Sequence, residues 1–119
     1  MELEEGMYVR TNGGNIGKIE SFVSSLQNDF IKTPYEEYIN RKDIKKASYN
    51  IIDLIEEGDY VNGLLVIGIE RFKDGTWFLL FSEDRYIDNK KCIETIVTKE
   101  QFKNMEYKIW IKKIYINKQ

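Results

Sequence analysis

Residues 60–81 read Tyr60-Val61-Asn62-Gly63-Leu64-Leu65-Val66-Ile67-Gly68-Ile69-Glu70-Arg71-Phe72-Lys73-Asp74-Gly75-Thr76-Trp77-Phe78-Leu79-Leu80-Phe81. Two turn pairs, Asn62-Gly63 and Asp74-Gly75, separate runs rich in β-branched and aromatic residues. Such pairs accept the positive φ angles of two-residue hairpins, whose twist matches that of the flanking strands. A third glycine turn, Asn12-Gly13-Gly14-Asn15, stands between Met7-Tyr8-Val9-Arg10 and the run Ile16 to Val23. Antiparallel hairpins are therefore the local expectation. Further strands are expected at Asn28–Thr33, Tyr38–Ala47 (with a break near Arg41), Asp84–Ile87 and Lys91–Thr98. The segment Met105–Ile111 alternates with period two, and its isoleucine, tyrosine and tryptophan favour a strand over an amphipathic helix. Lys112-Lys113 then shifts the phase, as a bulge or strand end would.

Helix signals are few. Thr98-Lys99-Glu100-Gln101 has the spacing of a capping box, in which the Thr and Gln side chains each take up an orphan N–H of the first turn. Asn50-Ile51-Ile52-Asp53 is a weaker start, leading into Leu54-Ile55 and stopping at Gly58. Each predicts one or two turns.

The two halves echo each other. Glu5-Gly6-Met7-Tyr8-Val9 matches Glu57-Gly58-Asp59-Tyr60-Val61 at all but the third position, and Ile44 to Ser48 loosely resembles Ile93 to Thr98. An E-G-x-Y-V opening followed by a glycine-bearing hairpin resembles the first strand of small SH3-like barrels. That resemblance implies two SH3-like β-barrel units in tandem, residues 1–53 and 54–119, fused into one body. The expected class is thus mostly β and antiparallel, with one or two short helices.

Composition narrows the function. A hydrophobic fraction of 42% is enough for a packed core. The net charge of −2 is neither the basic excess of a phosphate-neutralising binder nor the acid load of a DNA mimic. Acids gather in residues 1–40 and lysines in residues 99–119, which reads first as a solvated surface. A single cysteine, Cys92, excludes a disulfide within the chain and a cysteine-based zinc site. Its neighbours Ile93 and Ile96 suggest a buried, inert strand thiol. The acidic start and the lack of a long apolar run predict a cytoplasmic protein with no membrane span.

No histidine occurs, which removes the usual triads and the histidine-bearing metal sites. Gly13-Gly14-x-x-Gly17 opens no helix and reads as a hairpin tip, not a phosphate loop. Acid-x-lysine pairs of the sort found in some nuclease sites occur at Asp43, Asp88 and Glu106, about as often as composition alone produces. A carboxylate site for Mg²⁺ assembled in space stays open. Otherwise no enzyme, metal or cofactor is expected. The candidate binding residues are aromatic: Tyr35-Glu36-Glu37-Tyr38 after Pro34, and Trp110 between lysines on the wetter face of the last strand. For Trp77, inside an apolar run, core packing is the expectation.

Lysine outnumbers arginine fourteen to four, and only one alanine and one proline are used, as in AT-rich genomes. The stretch Asn50 to Gly63, with Ile96-Val97-Thr98-Lys99-Glu100-Gln101-Phe102 and Met105-Glu106-Tyr107, resembles small uncharacterised proteins carried by phages and prophages of low-GC bacteria. The resemblance covers roughly the last 70 residues. It implies an accessory protein that binds a host protein, such as a CRISPR nuclease, as an inhibitor of host defence. One alternative is a nucleic-acid or nucleotide binder that uses the SH3-like units and the C-terminal lysines; another is a structural or housekeeping phage protein.

Overall fold

Main-chain geometry at the three glycine turns separates two hairpin types. In the computed structural model, which describes residues 2–24, 29–34 and 39–105, both Asn62 (φ 52°) and Gly63 (φ 79°) are left-handed. That is the two-residue turn with positive φ at both central positions. The other two turns depart from the expectation. At Asn12-Gly13-Gly14 only Gly14 is left-handed (φ 90°); its N–H donates to the Thr11 carbonyl and Thr11 N–H donates to Asn15. At Lys73-Asp74-Gly75 only Gly75 is (φ 91°), with the same pair of bonds between Phe72, Gly75 and Thr76. These are three-residue loops closed by a glycine bulge, because the first two loop residues follow an ordinary right-handed turn.

The chain divides into two compact units, Met1–Ile55 and Glu56–Gln119. The first contains β1 (Tyr8–Thr11), β2 (Ile16–Lys18), β3 (Ser21–Ser24), β4 (Asp29–Lys32), β5 (Ile39–Asn40) and β6 (Ile44–Ser48). They form two antiparallel sheets, ordered β2-β1-β6 and β3-β4-β5. The second contains β7 (Tyr60–Val61), β8 (Leu64–Leu65), β9 (Gly68–Arg71), β10 (Trp77–Leu80), β11 (Tyr86–Ile87) and β12 (Ile96–Val97). Its sheets are ordered β12-β7-β8 and β11-β10-β9. The described chain is thus mostly β and antiparallel, in four three-stranded ladders, none of which closes on itself.

The same plan runs through both units. The first strand pairs with the second and with the last; the middle three strands form a meander; a 3₁₀ turn (Arg41–Asp43 or Lys90–Cys92) precedes the last strand. Each 3₁₀ turn is capped alike: the side chain of Asn40 accepts from Lys42 N–H, and that of Asn89 accepts from Lys91 N–H. The sheet-to-sheet passages match too. Ile19 N–H donates to Met7, while Glu20 N–H donates across to Lys32. Val66 N–H donates to Asp59, while Ile67 N–H donates across to Leu80. These corners split the expected runs Ile16 to Val23 and Leu64 to Phe72 into two strands each, since adjacent amides bond to different sheets.

Three matched pairs, Val9 with Val61, Ile19 with Val66 and Ile31 with Leu79, stand in the two cores. Val9, Ile19, Ile31 and Ile39 are buried together in the first unit, with Leu3, Met7, Phe22, Ile44 and Ala47 packed against them. In the second, Val61, Val66, Leu79 and Phe81 are buried. Gly17 in β2 is required for close approach: a Cβ there would lie 3.0 Å from that of the buried Thr33.

One helix is described, at 99–105. Its capping box forms as expected: Thr98 N–H donates to Gln101 Oε1 at 3.0 Å, and Gln101 N–H donates to Thr98 Oγ1 at 3.3 Å. The weaker start at Asn50 gives a 3₁₀ turn, Ile51–Leu54, without a side-chain cap bond from Asn50. The expected strand Lys91–Thr98 is corrected: Lys90–Cys92 is a 3₁₀ turn and only Ile96–Val97 pairs. Cys92 is accordingly exposed, not a buried strand thiol. No helix among the described residues is long and apolar enough to cross a membrane.

Candidate functional site

The meander of the second unit shows how pairing register sorts side chains. Trp77 pairs with Arg71, Phe78 with Glu70, Leu79 with Ile69 and Leu80 with Gly68. On the other side Leu79 pairs with Ile87 and Leu80 with Tyr86. Directly paired residues share a face, and alternate residues along a strand share it as well. Leu79 is buried, so Ile69, Trp77, Leu79 and Ile87 take the inner face. Glu70, Phe78, Leu80 and Tyr86 take the outer face, with Gly68 adding no side chain.

Three aromatic rings join across that outer face. Phe72, just past the end of β9, meets Phe78 of β10 edge-to-face, with ring centroids 5.6 Å apart and an interplanar angle of 89°. Phe78 meets Tyr86 of β11 at 5.5 Å and 72°. Such edge-to-face pairs contribute about 0.5–1.5 kcal/mol each beyond area burial, so the ladder is a fixed relief and not a loose patch. It nevertheless stays open to solvent. Phe72 keeps 48% of its surface exposed and Tyr86 keeps 59%, well above what an aromatic serving the core would keep.

The rim is mixed in charge and leans acidic. Glu70 lies directly across from Phe78 and is exposed. Asp74, in the β9–β10 turn, accepts from Thr76 Oγ1 at 2.6 Å and from Thr76 N–H at 3.0 Å. The Thr76 hydroxyl, followed by its amide, holds the Asp74 carboxyl below the ordinary aspartate range. Glu83 and Asp84 are exposed in the β10–β11 turn, both left-handed. Lys73 and Arg85 are the exposed bases of the same turns.

The residues singled out in the sequence, Tyr35, Glu36, Glu37, Tyr38 and Trp110, lie outside the described residues. Trp77 is half-buried and on the inner face, in line with a packing role. The ladder residues Phe72, Phe78 and Tyr86 were not singled out there. The repeat carries a signal for two of them: Phe30-Ile31 and Tyr38-Ile39 recur 48 residues later as Phe78-Leu79 and Tyr86-Ile87. No described group of three or more acidic, cysteine or histidine residues is placed to hold a metal ion. Compared with known families, curated proteins and solved structures, the chain shows no match in any of the three.

Proposed function

We propose that this chain is a non-enzymatic accessory protein of phage or prophage origin. On this reading it acts as a stoichiometric protein-binding inhibitor of a host defence system, with a CRISPR nuclease as the kind of target. The observation that carries the reading is the exposed ladder of Phe72, Phe78 and Tyr86, fixed on a sheet and rimmed by charge. Aromatic side chains of this sort supply large contact area at low entropic cost, and they anchor protein interfaces.

We read each unit as SH3-like. Support comes from the element order, in which the last strand returns to pair with the first after a 3₁₀ turn, in both units. The absence of histidine supports a binding role over catalysis. The test is capture of a partner from a bacterial host lysate by the tagged protein, with and without nuclease treatment. A protein retained in stoichiometric amount after nuclease treatment is expected. Loss of all captured protein on nuclease treatment would sink the reading in favour of nucleic acid.

A further inference from the structure

We infer that the outer face of β9, β10 and β11 receives a protein segment that presents arginine or lysine between apolar side chains. This rests on the protein-binding reading and specifies what the partner must carry. The ladder offers apolar area with exposed ring surface, and the electron-rich faces of aromatic rings attract a guanidinium or ammonium group. Glu70 is the acceptor in register with it, paired with Phe78 at the middle of the ladder. A carboxylate next to an aromatic face suits arginine best, because a planar guanidinium can stack on the ring and donate two hydrogen bonds to the carboxylate.

The surrounding charge points the same way. Across residues 67–88 the acids are Glu70, Asp74, Glu83, Asp84 and Asp88, against Arg71, Lys73 and Arg85. Arg71 pairs with Trp77, which places it on the inner-face side of β9. A single strand of nucleic acid would also stack on exposed rings, but its phosphates require a basic groove. Here the residue beside the central ring is a carboxylate. Gly68 adds no side chain to this face, and Leu80 covers it: a Cβ there would lie 3.4 Å from Leu80 Cδ1. An apolar side chain next to the partner's cation can lie against the half-buried Leu80 on the same face.

The test uses the whole protein and three fluorescent probes: a peptide alternating arginine and leucine, its counterpart with glutamate for arginine, and an oligothymidylate strand. Fluorescence anisotropy is expected to show the arginine peptide binding about tenfold or more tighter than the glutamate peptide. Glu70→Lys should weaken the arginine peptide by about tenfold or more, and so should Phe72→Ala combined with Tyr86→Ala. Circular dichroism checks the fold of each variant; should the double variant unfold, Glu70→Lys at its exposed position decides alone. Three results overturn the proposal: equal or absent binding of the two peptides at about 1 mM, tighter binding of oligothymidylate that Tyr86→Ala abolishes, or self-association that Tyr86→Ala abolishes. Capture of the same nuclease-resistant partner by Glu70→Lys and by wild type would remove this face while leaving the protein-binding reading intact.

Discussion

Asn62 does two jobs at the hairpin of the second unit. Its backbone adopts φ 52°, a conformation that asparagine tolerates better than most residues. Its side chain ties the hairpin tip to the approach of β12: Oδ1 accepts from Glu94 N–H (2.8 Å) and Thr95 N–H (3.1 Å), and Nδ2 donates to the Cys92 carbonyl at 2.7 Å. Asn62→Ala should therefore lower stability by about 2 kcal/mol, combining left-handed strain with lost bonds at an exposed site. Asn62→Asp keeps the oxygen that accepts from both amides but loses the bond to the Cys92 carbonyl, and it should be less destabilised than Asn62→Ala, read from urea midpoints at constant slope. A second residue-scale effect depends on pH. The Tyr49 hydroxyl donates to Glu4 Oε2, and this bond to a carboxylate raises the phenol above its ordinary range. A folded value above the unfolded one means that the bond's stabilisation is fully present below the ordinary tyrosine range. It is lost as pH climbs through the raised value. Glu4→Gln should return the Tyr49 titration towards ordinary tyrosine, followed by tyrosinate absorbance; an unchanged titration would show that the bond does not form.

Elements were legible where the signal is local and less so where pairing decides. The capping box at Thr98 needs only a threonine and a glutamine three residues apart, and it forms. What the spacing could not show is its tertiary support. The buried Asp59 accepts from Glu56 N–H at 2.7 Å and from Lys99 N–H at 3.0 Å, which fastens the start of the helix to the turn before β7. Phe102 then stacks on Tyr60 with centroids 4.4 Å apart. Thr98→Ala should cost about 1 kcal/mol, with Thr98→Ser close to wild type. Asp59→Ala should cost about 3 kcal/mol, because it leaves two amides without a charged acceptor. Thermal unfolding should find Thr98→Ser the most stable, Thr98→Ala next and Asp59→Ala the least, and a benign Asp59→Ala would refute the tie. The corners at Ile19 and Val66 were illegible for a related reason. Val66 lies in a continuous apolar run and Ile19 between the polar residues Lys18 and Glu20, with no turn pair at either corner, and only the partner of the next amide reveals that the chain has changed sheets. At Lys91–Thr98 the isoleucines suggested a strand, yet Asn89 turns the chain through Cys92 before pairing begins.

At the scale of the molecule, the short E-G-x-Y-V echo stands for a repeat of the whole plan, down to register. Ile31 pairs with Phe22 and Ile39 in one unit, as Leu79 pairs with Ile69 and Ile87 in the other. Both are fully buried, so Ile31→Ala and Leu79→Ala should each lower stability by about 2–5 kcal/mol. The candidate site was less legible, because the sequence shows that Tyr86 is aromatic but not that register sets it beside Phe78 on the solvent side. Charge decides how that surface can act. A duplex mimic must offer one negative charge per ~1.7 Å of length. A net charge of −2 over 119 residues does not sustain such a field, and the ladder's rim mixes both signs. On the proposed reading, docking through aromatic anchors involves few ionic contacts, so partner affinity should respond weakly to salt. The expected change is about tenfold or less between about 50 and 200 mM salt, whereas displacement of six or more phosphate-like charges would cost about a thousandfold. Titrating the captured partner across that range distinguishes the two, and a steep loss of affinity would mean that imitation of nucleic acid, not the aromatic ladder, drives binding.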